Sequence, residues 1–162
     1  MADTTTPTRL DGLGFVEGLG PEDLDRLAEM AAPALWAAGE VIFREGQRDG
    51  RIYVVDEGRV ALEVTQPGRG RMTILTVGPG EVFGWSSLFQ ERPKTASARA
   101  LQPTRGVSLD AARLRVLCDA DPRLGYLLTR RILSAVAERL QSARLQLLDV
   151  FAGPASSDRG AS

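Results

Sequence analysis

Between Glu40 and Leu109 the chain is cut by glycine-bearing turns at short, regular intervals, and this limits the possible folds more than any other feature. Val41 to Phe43 leads to Gly46 and the turn Asp49-Gly50. Ile52 to Val55 leads to Glu57-Gly58, Val60 to Val64 leads to Pro67-Gly68, and Met72 to Val77 is closed by Gly78-Pro79-Gly80. Short β-branched and aromatic runs bounded by such turns read as strands. Their regular return specifies a closed β-sandwich or barrel, in which the roll itself protects the sheet edges. Asp49-Gly50 and the Pro67 to Gly70 turn read as turns first and functional loops second.

Helical patterns flank this block. Gly20-Pro21-Glu22-Asp23 has the form of a helix start, with proline in the first turn and acids at the positive end of the dipole. Leu24, Leu27, Ala28 and Ala31 give that helix one apolar face, and Trp36 behind it is expected to pack on a sheet. After Leu109, Asp110 is placed to cap a helix over 111–117, and Asp121-Pro122 to start a longer one over 122–150. Leu133, Val136, Leu140, Ala143, Leu147 and Val150 recur along it in steps of three and four, a heptad seam. At 1.5 Å per residue such a helix is about 40 Å long, more than one small roll covers. With Leu128, Ile132, Ala135 and Leu145 beside the seam, one face is expected on the roll and the other, through Leu133, Val136, Leu140, Ala143 and Leu147, in a homodimer. Residues 1–12 and 151–162 read as tails around a single domain over 13–150.

The chain has 162 residues, enough for one domain with a real core. Its 20 basic and 21 acidic residues leave a formal charge of -1, which gives no general attraction to nucleic acid or an anionic membrane. There is no histidine and one cysteine, Cys118, so imidazole catalysis, an internal disulfide and a Cys/His metal cluster are all excluded. Cys118 reads as a small hydrophobe between helices. No carboxylate pair has a spacing suited to acid–base work, so neither catalytic nor metal-binding residues are expected. No apolar run reaches the roughly 18 residues of a membrane span, and the first ten residues lack the form of a secretory signal; a soluble cytoplasmic protein is expected.

The stretch Phe83 to Ala100, FGWSSLFQERPKTASARA, carries the functional signal. A short strand ends at Gly84, Ser86-Ser87 opens a brief helical turn, and Lys94-Thr95 precedes the next strand. Successive amides at a helix start bind phosphate oxygens, and hydroxyls with one lysine can complete such a nest. The same residues also fit an ordinary loop with a solvated lysine.

Four fragments in order, Glu40 to Gly46 (EVIFREG), Tyr53 to Val60 (YVVDEGRV), Gly78 to Gly84 (GPGEVFG) and Thr95 to Ala100 (TASARA), resemble the cyclic nucleotide-binding domain, the sensor half of the catabolite activator protein superfamily. The resemblance runs from about Leu19 to Leu148. It implies a mainly β fold, an eight-stranded jelly roll (double-stranded β-helix) with one helix before it and two after it, the last one long. It places the family's phosphate-binding helix near Ser86 to Phe89. The implied ligand-binding residues are Gly84, Trp85, Ser86, Ser87, Leu88, Lys94 and Thr95, and the implied ligand is a cyclic nucleotide or another phosphate-containing molecule.

Two positions depart from the family pattern. Trp85 stands where the family has a glutamate that accepts from the ribose hydroxyl. Lys94 stands where it has a phosphate-binding arginine, keeping the charge without the two-pronged geometry. Ala143 and Arg144 lie where base-facing hydroxyls are expected. Loss of one charged hydrogen-bonding partner costs about 2–5 kcal/mol, so weak or altered affinity for cyclic AMP and cyclic GMP follows. Family transcription factors carry a helix-turn-helix after the long helix, and none is expected here, which leaves output through a separate effector protein or dimer geometry. Two readings stand: a divergent small-molecule sensor, or a ligand-free interaction module whose pocket Trp85 fills. An open cavity favours the first and a packed indole the second.

Overall fold

In the computed structural model, residues 9–89 and 92–153 are described. Eight strands form two four-stranded antiparallel sheets. They are β1 (Ala31–Trp36), β2 (Val41–Phe43), β3 (Arg51–Glu57), β4 (Val60–Gln66), β5 (Gly70–Val77), β6 (Val82–Phe83), β7 (Ser97–Ala100) and β8 (Thr104–Asp110). One sheet runs β1-β8-β3-β6 and the other β2-β7-β4-β5. Helix α1 (Pro21–Ala28) precedes the strands, and α2 (Ala111–Ala120) and α3 (Pro122–Ala152) follow them. This is the mainly β jelly roll with one leading and two trailing helices.

Strand β3 shows why the roll closes. Its run Ile52 to Val55 is buried on both faces, as expected for a strand sandwiched between two layers. Ile52 and Val54 join Leu109, Leu114, Leu124 and Leu128 in a core beneath the helices. Tyr53 and Val55 point the other way, into a core between the sheets with Phe43, Val60, Val77 and Phe83. Tyr53 and Phe83 are paired across β3 and β6 and stack with centroids 5.2 Å apart, and Trp36 meets both rings edge-on.

Several boundaries differ from expectation for identifiable reasons. Helix α1 stops at Ala28, and Ala31 opens β1 opposite Leu109. The run AAPALW has no apolar alternation, yet its backbone pairs along β8, and Pro33 is tolerated because β1 is an edge strand. The expected tail over 1–12 is interrupted at Leu10, which is buried in the helical core; residues 1–8 lie outside those described. At the other end α3 runs to Ala152, two residues past Val150, and 154–162 lie outside those described.

Both cap assignments have the expected geometry. Asp110 accepts from the Arg113 amide at 3.0 Å, and Asp121 from the Leu124 amide at 3.2 Å. Asp121 also accepts from Arg26 of α1 at 2.7 Å, and the buried Asp23 accepts from Arg123 at 2.8 Å, so α1 and the start of α3 are tied together. Gly125 lets α2 and α3 meet: a Cβ there would lie 2.7 Å from the Cys118 carbonyl oxygen. Cys118 is half-buried at this crossing, and burial, helped by Asp119 and Asp121, raises its thiol pKa. Gly125→Ala is expected to lower stability by about 1–3 kcal/mol through overpacking, read as a lower urea midpoint at unchanged slope; an unaltered midpoint would show that the helices separate freely.

Candidate functional site

The stacked Tyr53–Phe83 pair delivers the chain to Gly84, whose left-handed backbone (φ 73°) turns it into a four-residue 3-10 helix, Trp85–Leu88. A Cβ at Gly84 would lie 3.0 Å from Lys94 Nζ and 3.1 Å from the Tyr53 ring. Glycine is therefore required twice, for the turn and for the close approach.

Lys94 is at the centre of this close approach. Its side chain is 1% exposed, and the ammonium donates to the carbonyl oxygens of Gly84 and Arg51, each at 2.7 Å, and to Ser87 Oγ at 2.8 Å. Asp49 Oδ1 lies 3.1 Å away, and Nζ sits 4.7 Å from the Phe43 ring centroid. Asp49 Oδ2 in turn accepts from the Tyr53 hydroxyl at 2.5 Å. Burial lowers the lysine pKa, and Asp49 opposes that shift. The tyrosine pKa is raised, by burial first and by Asp49 second. An ammonium has three protons, and here all three are directed at protein acceptors beneath the loop.

Trp85 lies on the other side of Gly84. Arg139 of α3 sits over its ring, with the guanidinium carbon 4.1 Å from the centroid, and donates to the Val82 carbonyl. Burial brings the Arg139 pKa down to about 10, against the opposing pull of Glu81 and Glu138. Around this stack Phe43, Leu62, Ser86, Thr95 and Ala96 leave a cavity of about 70 Å³, small beside the roughly 300–1,000 Å³ of ordinary small-molecule sites.

Of the seven residues singled out in the sequence, Gly84, Trp85, Ser86, Lys94 and Thr95 line this cavity. Thr95 is exposed. Ser87 is buried with its hydroxyl on Lys94, and Leu88 packs against the helical core. Lys94 touches the cavity wall but aims its charge away from it, into the cluster under Gly84. Ala143 and Arg144 are exposed on the distal part of α3. Arg99 pairs with Glu63, which is itself only 3% exposed.

Three participants were not identified from sequence. Arg139 continues the roll-facing row of Leu128, Ile132 and Ala135, and that helical period was a usable signal. Asp49 and Tyr53 gave none, since an Asp-Gly turn and a strand tyrosine look the same whether or not they serve a buried lysine.

Among the described residues no group of three or more His, Cys, Asp or Glu side chains is arranged to hold a metal ion, and no helix is long and apolar enough to cross a membrane.

The sequence pattern of the cyclic nucleotide-binding domain matches residues 35–121. The CRP-like cAMP-activated global transcriptional regulator of Mycobacterium tuberculosis is 30% identical over 139 residues, which is 85% of this chain and 60% of that protein. The chain thus spans about three fifths of the length of this relative. The Thermus thermophilus catabolite activator protein superposes with a TM-score of 0.67 at 31% identity, over 86% of this chain and 63% of the other. A cyclic nucleotide-binding domain from Methylobacillus flagellatus gives 0.74 at 24% identity, over 81% and 74% of the two chains, a likeness of fold alone. With more than half its length matched, and with β3, β6, the Gly84 turn and the following 3-10 helix in place, this chain belongs to the cyclic nucleotide-binding domain family.

Proposed function

We propose that this chain is a non-enzymatic regulatory module whose nucleotide space is closed by its own Trp85 and Arg139, with weak or no affinity for cyclic AMP and cyclic GMP. The observation that carries this reading is the indole–guanidinium stack at Gly84, which leaves about 70 Å³. Lys94 supports it: an ammonium saturated by protein oxygens has no donor left for a phosphate. A nucleotide would have to displace the indole, break a partly desolvated cation–π contact worth about 2 kcal/mol, and do so without the glutamate that would reward its ribose.

The long helix supplies the output. Leu124, Leu128 and Ile132 are buried against the roll, while Leu133, Leu140 and Leu147 are 64%, 59% and 58% exposed. From Leu140 onward every described side chain of α3 is exposed. Ala143 shares the free face; Val136, counted in the seam, is half-buried against the helical core and borders it. An apolar row of this extent calls for a cover, and a second copy of the same helix in heptad register provides one. A separate effector protein would then read the geometry of the pair.

A sensor reading has one specific observation in its favour. Arg139 belongs to α3, so any ligand that expelled the Trp85 indole would also release the helix, and differential affinity for the two positions would suffice to switch it.

Calorimetric titration with cyclic AMP and cyclic GMP is expected to show weak binding or none; sub-micromolar affinity for either would overturn the closed-pocket reading. Light scattering should give about twice the 17.4 kDa chain mass, and Leu140→Asp should weaken the dimer more than a charge reversal at Glu138, because it places an unpaired charge in the apolar row. A monomer at all concentrations would remove the dimer. Lys94→Ala, which leaves Asp49 without its counter-charge, should cost about 3–5 kcal/mol of stability; a change within experimental scatter in a denaturant melt would show the lysine to be dispensable to the loop.

A further inference from the structure

Behind the Lys94 cluster lies a second cavity, of about 330 Å³, formed by the turn before β3, the 3-10 helix, Arg92 and the first turns of α2. Three arginines, Arg48, Arg92 and Arg115, line it together with Gly50 and Ser87. It shares no lining residue with the cavity at Trp85. We propose that it is a binding site for a small phosphate-type anion carrying two or more negative charges.

The argument is one of charge and geometry. Among the described residues Asp49 is the one acid in the lining, and its carboxylate is already committed to Lys94, to the Tyr53 hydroxyl and to the Arg51 amide. Lys94 cancels its charge, so among the described residues no acid is left in the lining to compensate the three guanidinium groups. Among the described residues neither Arg48 nor Arg92 has an acidic partner, and Arg115 uses one donor, at 3.3 Å, on the Ser87 carbonyl. That bond fixes the half-buried Arg115 at the wall with most of its fork still free. Planar forks arriving from three separate elements match an anion with several oxygens, and a single carboxylate would leave most of the positive charge unanswered. The walls are set by packed structure: the Ala111 amide donates to the Gly50 carbonyl at 3.0 Å and closes the edge between the turn and α2. The volume lies within the range of ordinary small-ligand sites, roughly 300–1,000 Å³.

The site stands independently of the Trp85 plug, and the test keeps the two apart. Inorganic pyrophosphate is titrated into the full chain by calorimetry, with sodium chloride at matched ionic strength as the reference. Saturable binding is expected, weakened at least about tenfold by Arg48→Ala or Arg92→Ala, since each removes charge-assisted hydrogen bonds, and retained in Trp85→Ala. Arg48 and Arg92 are exposed, so a thermal melt should show both variants folded as the parent is. No saturable binding by the parent chain, binding that survives Arg48→Ala/Arg92→Ala together, or binding lost in Trp85→Ala would each overturn the assignment.

Discussion

A buried ammonium must find an oxygen for every proton, and at Lys94 that requirement organises the functional end of the molecule. Its acceptors come from the start of β3, the Gly84 turn and the 3-10 helix, with the Asp49 carboxylate alongside. Desolvation favours losing the charge, the Asp49 pair favours keeping it, and the hydrogen bonds fix where Gly84 and Ser87 must stand. The missing Cβ at Gly84 is part of the same arrangement, since Nζ fills the space directly beneath it. An arginine could not take this place unchanged. Its wider, planar group has five donors to satisfy and would not fold under the loop. The charge of Lys94 therefore lies on the underside of the loop.

Withdrawal of that charge changes what the cavity can hold. With no ammonium aimed into it and no carboxylate at position 85, the space above Gly84 is bounded mainly by Phe43, Leu62, Ala96 and the indole. Arg139 can enter because an indole face receives a guanidinium with little need for a counter-ion, and the Val82 carbonyl accepts a hydrogen bond from it. The result joins α3 to the roll by a contact unlike the aliphatic packing of Leu124, Leu128 and Ile132 nearer its start. That contact lies at the last point where the helix touches the roll. Beyond it, Leu140, Leu145, Leu147 and Leu148 stand in solvent.

The fold was largely legible because its signals are local: glycine turns bound the strands, aspartates cap α2 and α3, and the apolar period of α3 separates its two faces. β1 was missed because AAPALW has neither alternation nor β-branched residues, and its conformation comes from the partner β8, far away in sequence. A short helix was expected near Ser86 to Phe89 and lies at Trp85–Leu88, but the direction of Lys94 was not legible. Whether Lys94 faces a ligand or the interior depends on Asp49, which lies 45 positions earlier and looks like any turn aspartate. Arg139 was readable by helical period, yet its pairing with Trp85 depends on how α3 crosses the roll, which no sequence window contains.

The cations around the loop illustrate how one sequence assigns different tasks to chemically similar side chains. Each position is set by a balance of desolvation against available partners. Lys94, compact and flexible, tolerates full burial because four oxygens receive it. Arg99 reaches a buried carboxylate at Glu63 and is neutralised there. Arg139 accepts partial burial against a π face. For Arg48 and Arg92 no acid is within reach among the described residues, and with Arg115 pinned beside them by the Ser87 carbonyl their charge stays at the surface, concentrated on one cavity. Among the described residues, arginine charge without an acidic partner thus lies on the outer side of Ser87, the residue whose hydroxyl secures Lys94 within.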